Sequence, residues 1–437
     1  MKPFELYEKL KDKSKHSFLL ESPNANNKLE EYSFIGLDPS LIIDSSKIKK
    51  NIFNYIKSQL RTYDLRLTTY SSRFSSGLVG YINYNAGRFI ENLPDIAKDD
   101  LQIPDILMMI PKTLIIFDHR KDEIKIIAED KKRKQEIEKI ISEQKLNDPS
   151  TTLRVQTQSM KLQRAPSGAE VSGHWNLTKP QFMNMVTKAK EYIAKGDIYQ
   201  VNLSQRYQTK LNQDPWEIYK RLRIINPSPF AAYLNFGDIK IASCSPERLI
   251  LLENSLAQTR PIAGTRRSID KVEDLILNEK ERAEHIMLVD LERNDLGKVC
   301  EYGTVEVDEK MIVEKYSHVM HIVSNVKGKL KKDKDQFDLF KAMFPGGTIT
   351  GTPKIRSMEI IEELEPIKRG PYTGCIGYFG FNGNMDMSIT IRTIVCKENK
   401  AYIQVGAGIV ADSDPEKEYF ETLHKAEAML QAISNYQ

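Results

Sequence analysis

The sequence AYIQVGAGIVADSDPEKEYFE, residues 401–421, contains a predicted strand that is followed at once by a predicted helix. Residues 401–410 read as a strand, whereas residues 414–432 have helical periodicity. Ser413-Asp414-Pro415-Glu416 has the spacing of a capping box, with proline near the first turn, and it predicts the start of the helix. A strand that leads directly into a helix is typical of a mixed α/β protein.

Strands and helices of this kind recur through the second half of the chain. An amphipathic helix is predicted from Phe182 to Ile193, with Gly196 as its C′ stop, and further helices at about 271–290 and 353–364. Other predicted strands occupy residues 197–204, 240–244, 372–381 and 388–396. Because strands outnumber short crossovers, we expect antiparallel or mixed sheets with helices outside. The sequence lacks the glycine-rich motifs of a dinucleotide-binding or Walker A fold.

The chain divides into two regions and a linker. Residues 146–177 are rich in Ser, Thr, Gln and Pro and show no sustained periodicity, which predicts a linker or long surface loop. Alternating strand-like runs precede it, for example residues 77–82 and 113–117. We therefore predict an N-terminal companion domain at residues 1–145 and a catalytic domain at residues 178–437.

Composition excludes several classes of protein. The 437 residues are 40% hydrophobic and 28% charged, as in an ordinary globular protein, and a net charge of +4 is too diffuse to indicate nucleic-acid binding. No apolar stretch of about 18 residues predicts a membrane span, and the first residues lack the apolar core of a signal peptide. The four cysteines have no C-x-x-C spacing, so we predict reduced core thiols in a cytoplasmic protein.

Two E-x-x-E spacings lie in helical segments, so each pair of carboxylates falls on one helix face, a turn apart. The pairs are Glu281 with Glu284 and Glu418 with Glu421. Four converging carboxylates repel one another unless a hard cation compensates them, and Mg²⁺ is the natural candidate. The alternative is two solvated helix faces. The glycine-containing segment 406–408 before the second pair favours close approach of a ligand.

Four longer blocks follow one another in the second half of the chain: QTRPIAGTR at 258–266, AEHIMLVDLERND at 283–295, FPGGTITGTPK at 344–354 and GAGIVADS at 406–413. Together they resemble the chorismate-utilising enzymes, among them the large subunits of anthranilate synthase and aminodeoxychorismate synthase. The resemblance covers nearly all of residues 178–432, and residues 19–22 and 32–36 resemble the companion domain of the two amine-forming subunits. It implies an α/β (α+β type) fold, a large sandwich of two antiparallel sheets with helices outside.

The resemblance implies a magnesium site. Glu284 and Glu421 would be inner ligands, and Glu281 and Glu418 would complete the cage directly or through water. The ion would hold the ring carboxylate of chorismate and draw electron density from the ring while a nucleophile attacks C2 and the C4 hydroxyl leaves.

The resemblance also implies how chorismate, a dicarboxylate, is bound. Arg392 matches an arginine that holds the enolpyruvyl carboxylate, where a guanidinium fork fits a planar anion. His321 matches a histidine that helps the C4 hydroxyl leave, and Thr348 a hydroxyl that lines the site. Other residues implied in substrate binding are Tyr372, Gly406, Gly408, Lys425, Ala263 and Thr265. Outside such blocks, a lone strand arginine is more often a surface ion pair and a lone histidine a core residue.

Gln200 stands where isochorismate and salicylate synthases carry a lysine that can deprotonate water. A glutamine amide has no usable pKa and is not a general base, so we expect ammonia as the nucleophile. Ammonia at neutral pH is mostly ammonium, which implies a supplier. Nothing in the chain resembles a glutamine amidotransferase, so a separate amidotransferase subunit is the expected partner. A non-enzymatic chorismate-binding subunit would require loss of a cage carboxylate or of Arg392, and all are present.

Several positions favour aminodeoxychorismate as the product over anthranilate. Asn202 stands where anthranilate synthases usually have valine, and residues 344–347 replace their usual Pro-Ala-Gly. Residues 384–392 are also closer to the aminodeoxychorismate synthases. Ala263 points the other way, because some aminodeoxychorismate synthases have a lysine there that attacks C2. We favour 4-amino-4-deoxychorismate, on the 4-aminobenzoate/folate route; anthranilate, on the tryptophan route, is the alternative.

A regulatory site is the last feature that the resemblance implies. Residues 19–22 resemble the part of anthranilate synthases that contacts the inhibitor tryptophan, with Glu21 and Ser22 able to engage its ammonium and carboxylate. The facing segment, residues 229–231, lacks the usual tyrosine hydroxyl and long methionine. We therefore expect weak or absent feedback by tryptophan.

Overall fold

The computed structural model describes residues 1–22, 31–49, 51–64, 73–146, 172–267, 279–315 and 319–434. The helices in these ranges are α1 (Pro3–Leu10), α2 (Ile52–Asp64), α3 (Lys131–Leu146), α4 (Lys179–Ala194), α5 (Pro215–Ile225), α6 (Glu279–Val299), α7 (Gln336–Met343), α8 (Lys354–Leu364) and α9 (Pro415–Ile433). Short 3₁₀ helices occupy Lys11–Lys13, Ser45–Lys47, Tyr84–Phe89 and Gly347–Ile349.

The strands are β1 (Ser17–Glu21), β2 (Tyr32–Asp44), β3 (Gly77–Ile82), β4 (Ile106–Asp118), β5 (Glu123–Ala128), β6 (Gly173–Trp175), β7 (Gln200–Lys210), β8 (Phe230–Asn235), β9 (Ile239–Ser245), β10 (Arg248–Glu253), β11 (Leu256–Thr259), β12 (Ile262–Arg267), β13 (Glu306–Lys315), β14 (Val319–Lys329), β15 (Gly351–Thr352), β16 (Cys375–Gly380), β17 (Met385–Ile389), β18 (Thr393–Lys397) and β19 (Lys400–Ile409). All of their ladders are antiparallel.

The strands form two sheets that share the long strands β2 and β4. Sheet I runs β7-β19-β18-β9-β8-β1 and reaches the first half of β2. Sheet II runs β14-β11-β10-β17-β16-β3 and reaches the first half of β4. The β2–β4 ladder shifts register between Pro39 and Leu41, where β2 passes from one sheet to the other. A bulge of this kind bends a strand.

Three of the apolar cores in the described residues join the sheets to each other and to helices. Phe18 and Leu234 of sheet I share one core with Tyr81 and Tyr378 of sheet II, so this core lies between the sheets. A second core joins sheet I to α1, α5 and α9, and a third joins sheet II to α2, α6 and α7. Each fully buried large side chain contributes on the order of 1.5–3 kcal/mol. The predicted sandwich of two antiparallel sheets with helices outside is therefore confirmed.

Local signals place the helix ends well. Gly196, at φ +81°, follows the C-cap of α4, as predicted. The cap of α9 differs from the prediction, because Asp414 rather than Ser413 is the N-cap and accepts from the N–H groups of the first turn. The Ser413 hydroxyl instead accepts from the N–H of Val410, so it closes the turn before the helix.

Two predicted strands are wrong in extent. The predicted strand 388–396 is interrupted between β17 and β18, where Arg392 has a left-handed backbone at φ +52°. Residues 372–381 form a strand only from Cys375, after Thr373 at φ +59°. The helix predicted at 271–290 is α6, which begins at Glu279 in the described residues and continues to Val299.

The two predicted regions contribute strands to the same ladders. Strand β1 pairs with β8, and β3 pairs with β16. Most of the predicted linker lies outside the described residues, and its last part contains β6, which pairs with β7. The division into domains stays a prediction. All four cysteines are buried and free, as expected, and no described helix has the length and apolarity needed to cross a membrane.

Candidate active site

A cavity of about 200 Å³ opens among the ends of sheet I, β12, β14 and α6. We call it the site cavity. Eight of the predicted site residues line it: Ala263, Glu284, His321, Thr348, Tyr372, Arg392, Gly406 and Lys425. These residues come from distant parts of the sequence, and the fold brings them to one place.

Arg392 and Lys425 form a cationic wall of the site cavity. The left-handed backbone at Arg392 turns its guanidinium toward α9, where it donates to the carbonyl of Lys425 at 2.6 Å. The Lys425 ammonium donates to the carbonyl of Gly406 at 2.9 Å and pairs with Glu421 at 2.7 Å. Burial lowers the pKa of Arg392, and nearby Tyr372 and Glu421 oppose that shift. Both side chains are thus held in place by α9 and β19.

Gly406 and Gly408 lie in β19, where other side chains approach the backbone closely. A Cβ on Gly406 would lie 2.6 Å from the Tyr372 hydroxyl oxygen and 2.7 Å from Asn202 Oδ1. A Cβ on Gly408 would lie 2.6 Å from Gln200 Nε2. All three distances are shorter than real Cβ contacts, so the two glycines are required by the packing of these polar side chains against the strand.

Gln200 connects this strand to the first helix of the predicted metal site. Its side chain is buried, and Nε2 lies 3.4 Å from Oε1 of Glu284 on α6. Gln200 itself does not line the site cavity, although Glu284 and Asn202 do.

The four predicted metal ligands lie on two helices, as the E-x-x-E spacings indicate. Glu281 and Glu284 are in the first turns of α6, and Glu418 and Glu421 in the first turns of α9. Only Glu284 lines the site cavity. Within the described ranges, no three histidine, cysteine or acidic side chains are close enough together to form a metal group. The donor set, carboxylate oxygens alone, has the chemistry that Mg²⁺ requires, and the magnesium site stays a prediction.

His321 faces the site cavity from β14. Its Nδ1 lies 3.0 Å from the carbonyl oxygen of Gly264, so Nδ1 carries the hydrogen and Nε2 is the acceptor in the neutral ring. Burial lowers the pKa of His321, the bond to Gly264 opposes this, and nearby Arg392 lowers it further. Ala263, which precedes Gly264 in the chain, also lines the site cavity. Thr265 lies in β12, and its side chain is outside the described part of the structure.

A buried acid, Glu247, also lines the site cavity, and the sequence did not single it out. It lies between β9 and β10, and its Oε1 accepts a 2.8 Å hydrogen bond from the Thr348 hydroxyl. Burial raises the pKa of Glu247 to about 7, against the opposing effects of Thr348 and of the Lys425 charge. A carboxyl with this pKa can hold a proton near neutral pH and release it to a substrate.

The predicted regulatory residues lie between two cavities: one of about 70 Å³, which residues 229–231 also line, and one of about 850 Å³ on the other side. The Glu21 carboxylate accepts from the Tyr219 hydroxyl at 2.7 Å and from Arg223 at 2.7 and 3.1 Å. The Ser22 hydroxyl donates to the carbonyl of Pro229 at 3.0 Å. Both polar side chains are therefore engaged within the protein.

Comparison with known proteins agrees with this geometry. The family of chorismate binding enzymes matches residues 15–431. Anthranilate synthase component 1 of Acetivibrio thermocellus is 42% identical over 99% of the chain and 92% of its own length. Aminodeoxychorismate synthase component 1 of Bacillus subtilis (strain 168) is 43% identical over 98% of the chain and 93% of its own length.

A solved structure shows the same fold. Anthranilate synthase component I from Streptococcus pneumoniae TIGR4 superposes with a TM-score of 0.78 at 33% identity, covering 91% of the chain and 92% of its own. Relatives with either product name are thus similar to the chain to nearly the same degree.

Proposed function

Because the chain belongs to the chorismate binding enzymes, we propose that it aminates chorismate to 4-amino-4-deoxychorismate, with Mg²⁺ and with ammonia from a separate glutamine amidotransferase subunit. The names of its relatives support one component of a multi-component synthase that uses chorismate, since both are called component 1. Anthranilate formation is the second candidate.

The cationic wall supports binding of the substrate carboxylates. Arg392 presents a planar guanidinium, which can form two parallel hydrogen bonds with the enolpyruvyl carboxylate. Lys425 lies beside it and supplies a second positive charge. Charge-assisted hydrogen bonds in a confined cavity are stronger than those in water, so this wall would orient the ring.

Two groups are placed to handle the leaving hydroxyl. In either candidate reaction the C4–O bond breaks, a C–N bond forms on the ring, and the hydroxyl leaves as water with one added proton. Glu247, protonated below a pKa of about 7, would supply that proton, and the conjugate carboxylate would then take one from the nitrogen. His321, neutral and with Nε2 as acceptor, would orient the hydroxyl by accepting its hydrogen.

Magnesium, when bound, would supply positive charge that holds the ring carboxylate and draws electron density from the ring. Glu284 and Glu421 would hold it, with Glu281 and Glu418 as further or water-mediated ligands. The carboxylate-only donor set fits this ion.

The main support for amination over hydration comes from Gln200. Its amide nitrogen is directed at Glu284, and an amide cannot remove a proton from water. A nucleophile that needs no base, ammonia, fits the site better than water. Isochorismate formation is therefore disfavoured.

The position of the new C–N bond separates the two amine products. An amino group at C4 leaves the enolpyruvyl ether intact, whereas an amino group at C2 allows loss of pyruvate and a ring proton to give anthranilate. Attack at C2 alone cannot yield the 4-amino product, and Ala263 offers no amine for a covalent relay. Formation of the 4-amino product would then require nitrogen to attack C4 directly. The alanine at residue 263 is therefore the observation that favours anthranilate as the second candidate.

Product analysis tests the proposal. The purified chain would be incubated with chorismate, Mg²⁺ and an ammonium salt, and the products separated by chromatography with fluorescence detection. A product that yields 4-aminobenzoate only after a separate lyase is added supports 4-amino-4-deoxychorismate. Direct appearance of anthranilate rejects it in favour of the second candidate. The Glu247→Gln variant lacks an acidic proton and should therefore form neither of the two amine products.

A further inference from the structure

Two residues that line the site cavity each have a buried amide oxygen without a hydrogen-bond donor in the part of the chain that the structure describes. The two oxygens are Oδ1 of Asn202 and Oε1 of Gln404. Both residues line the site cavity and are at most 8% exposed. A buried acceptor without a donor is costly and rare in native proteins, so each such group calls for an explanation. Two in one cavity indicate that a donor molecule belongs there.

The two amides lie on the same face of sheet I. Asn202 in β7 pairs with Gly408 in β19, Ser204 pairs with Gly406, and Gln404 lies two residues before Gly406. Opposite residues and residues two apart share a face of a sheet. The Asn202 amide reaches along this face toward Gly406, and its Oδ1 lies 2.7 Å from the point where a Cβ on Gly406 would be.

The orientation of the Gln404 amide is fixed by its neighbours. Gln404 Nε2 lies 2.8 Å from the Ser204 hydroxyl oxygen, and that hydroxyl donates to Glu365 at 2.9 Å. The hydroxyl hydrogen is therefore used, and the oxygen must accept from an N–H group. This places the amide nitrogen at Ser204 and leaves the amide oxygen as the unsatisfied acceptor.

The missing molecule must be a small donor, because both groups are acceptors and the site cavity of about 200 Å³ would also have to hold chorismate. Ammonia has three N–H donors and one lone pair. With two N–H groups bound to amide oxygens, its lone pair stays free for attack. Ammonium has no lone pair, and the nearby cations Arg392 and Lys425 oppose its entry.

We propose that Asn202 and Gln404 form the subsite for the nitrogen nucleophile, holding neutral ammonia at this wall of the site cavity by its N–H groups. This inference rests on the proposed amination of chorismate and identifies residues that position the second substrate. A structural water is the competing occupant, since it is also a small donor.

Steady-state kinetics separate the two substrates. For Asn202→Ala, we expect the KM for free ammonia to rise at least tenfold while the KM for chorismate stays within twofold of the wild type. Asn202→Asp, which keeps an acceptor oxygen at this position, should recover part of the ammonia affinity. An unchanged KM for ammonia, or an equal rise in both KM values, would overturn the subsite and leave a structural water only.

Gln205 provides a matched control. It is a buried amide in the same strand, its Oε1 also has no donor within the described residues, and it does not line the site cavity. Gln205→Leu should leave both KM values unchanged. A rise in the KM for ammonia in this variant as large as in Asn202→Ala would assign the effect to general loosening of β7 and reject the subsite.

A binding measurement keeps the inference separate from the proposed function. If the wild type forms no amine from chorismate and ammonium, the proposed function fails, and thermal unfolding then decides the subsite. At pH 9, ammonium chloride should raise the unfolding midpoint of the wild type above that in sodium chloride of equal ionic strength. The shift should be lost in Asn202→Ala and kept in Gln205→Leu. Absence of an ammonium-specific shift in the wild type would overturn the subsite.

Discussion

The hydroxyl of Thr348 donates a 2.8 Å hydrogen bond to the buried carboxyl of Glu247 in the wall of the site cavity. Burial raises the pKa of this carboxyl to about 7, and the hydrogen bond from Thr348 lowers it. The two side chains together set the pH range in which the acid retains its proton.

Thr348→Val removes the donor and should raise the pKa of Glu247 further. Since the proposed proton donor is the neutral acid, activity per free ammonia should fall as pH rises through about 7 in the wild type. Loss of a charge-assisted hydrogen bond raises the pKa of a carboxyl by about one unit or more. The activity of the variant should therefore fall at a pH about one unit higher than that of the wild type. The measurement is the pH profile of kcat/KM for chorismate.

Thr350→Val is the control, because the Thr350 hydroxyl lies in the same loop but donates to the carbonyl of Gly346. Its profile should match the wild type. An alkaline limb that is the same in all three proteins would show that Glu247 is not the group that titrates.

Glu247→Gln should make the folded protein more stable at alkaline pH. A folded-state pKa of about 7, above the usual 4.5, means that stability falls as pH rises from about 4.5 to 7. Glutamine resembles the neutral acid, so the variant should gain about 3 kcal/mol at pH 8 and little at pH 4.5. Urea denaturation at the two pH values measures this. Exposed Glu416 on α9 is the control, and Glu416→Gln should show no such pH-dependent gain.

Glu284→Gln and Glu421→Gln should each weaken Mg²⁺ binding at least tenfold and abolish Mg²⁺-dependent turnover. Each substitution removes a charged oxygen donor while keeping the side-chain shape. Calorimetric titration of Mg²⁺ with chorismate present is the measurement. Glu416→Gln serves as control on α9, where Glu416 pairs with Lys179. If both variants bind Mg²⁺ like the wild type, the four carboxylates are solvated helix faces.

Gln200→Lys should weaken amination and introduce a water-derived product. The new ammonium would lie beside Glu284, and a lysine whose pKa is lowered by burial can act as a base toward water. Mass spectrometry would detect labelled oxygen from water in isochorismate. Amination at the wild-type rate, without a labelled product, would place residue 200 away from the nucleophile.

Tryptophan at millimolar concentration should leave the initial rate nearly unchanged. The cavity between Glu21 and residues 229–231 has a volume of only about 70 Å³, less than half the roughly 150 Å³ of an engineered cavity that accepts benzene. Glu21 and Ser22 are also engaged by other groups of the protein. Initial rates across a tryptophan titration test this, and half-maximal inhibition at low micromolar concentration would contradict it and favour anthranilate as the product.

The sequence predicted those elements whose signals are local. Helices α4 and α9 were found from apolar periodicity and end signals, because capping depends on a few adjacent residues. The break at Arg392 was not predicted. Its left-handed backbone coincides with a hydrogen bond to the carbonyl of Lys425, 33 residues away, and no short-range pattern reports such a contact.

The candidate site was only partly predictable for the same reason. Family blocks led to eight residues that the structure brings to one cavity. Glu247 gave no sequence signal, because its chemistry depends on burial and on Thr348, which is 101 residues away. Asn202 was noticed for the type of residue at its position, whereas the missing donor at its oxygen is visible only in three dimensions.

The pairing of β3 with β16 has a consequence for synthesis of the chain on the ribosome. Val79 pairs with Tyr378, so roughly 300 residues must be made before β3 receives this partner. At about 5–20 residues per second, that takes on the order of 15–60 seconds. During this time an apolar strand edge remains open to other nascent chains. Cells that make this protein rapidly should therefore depend on chaperones that cover such edges until translation has passed residue 380.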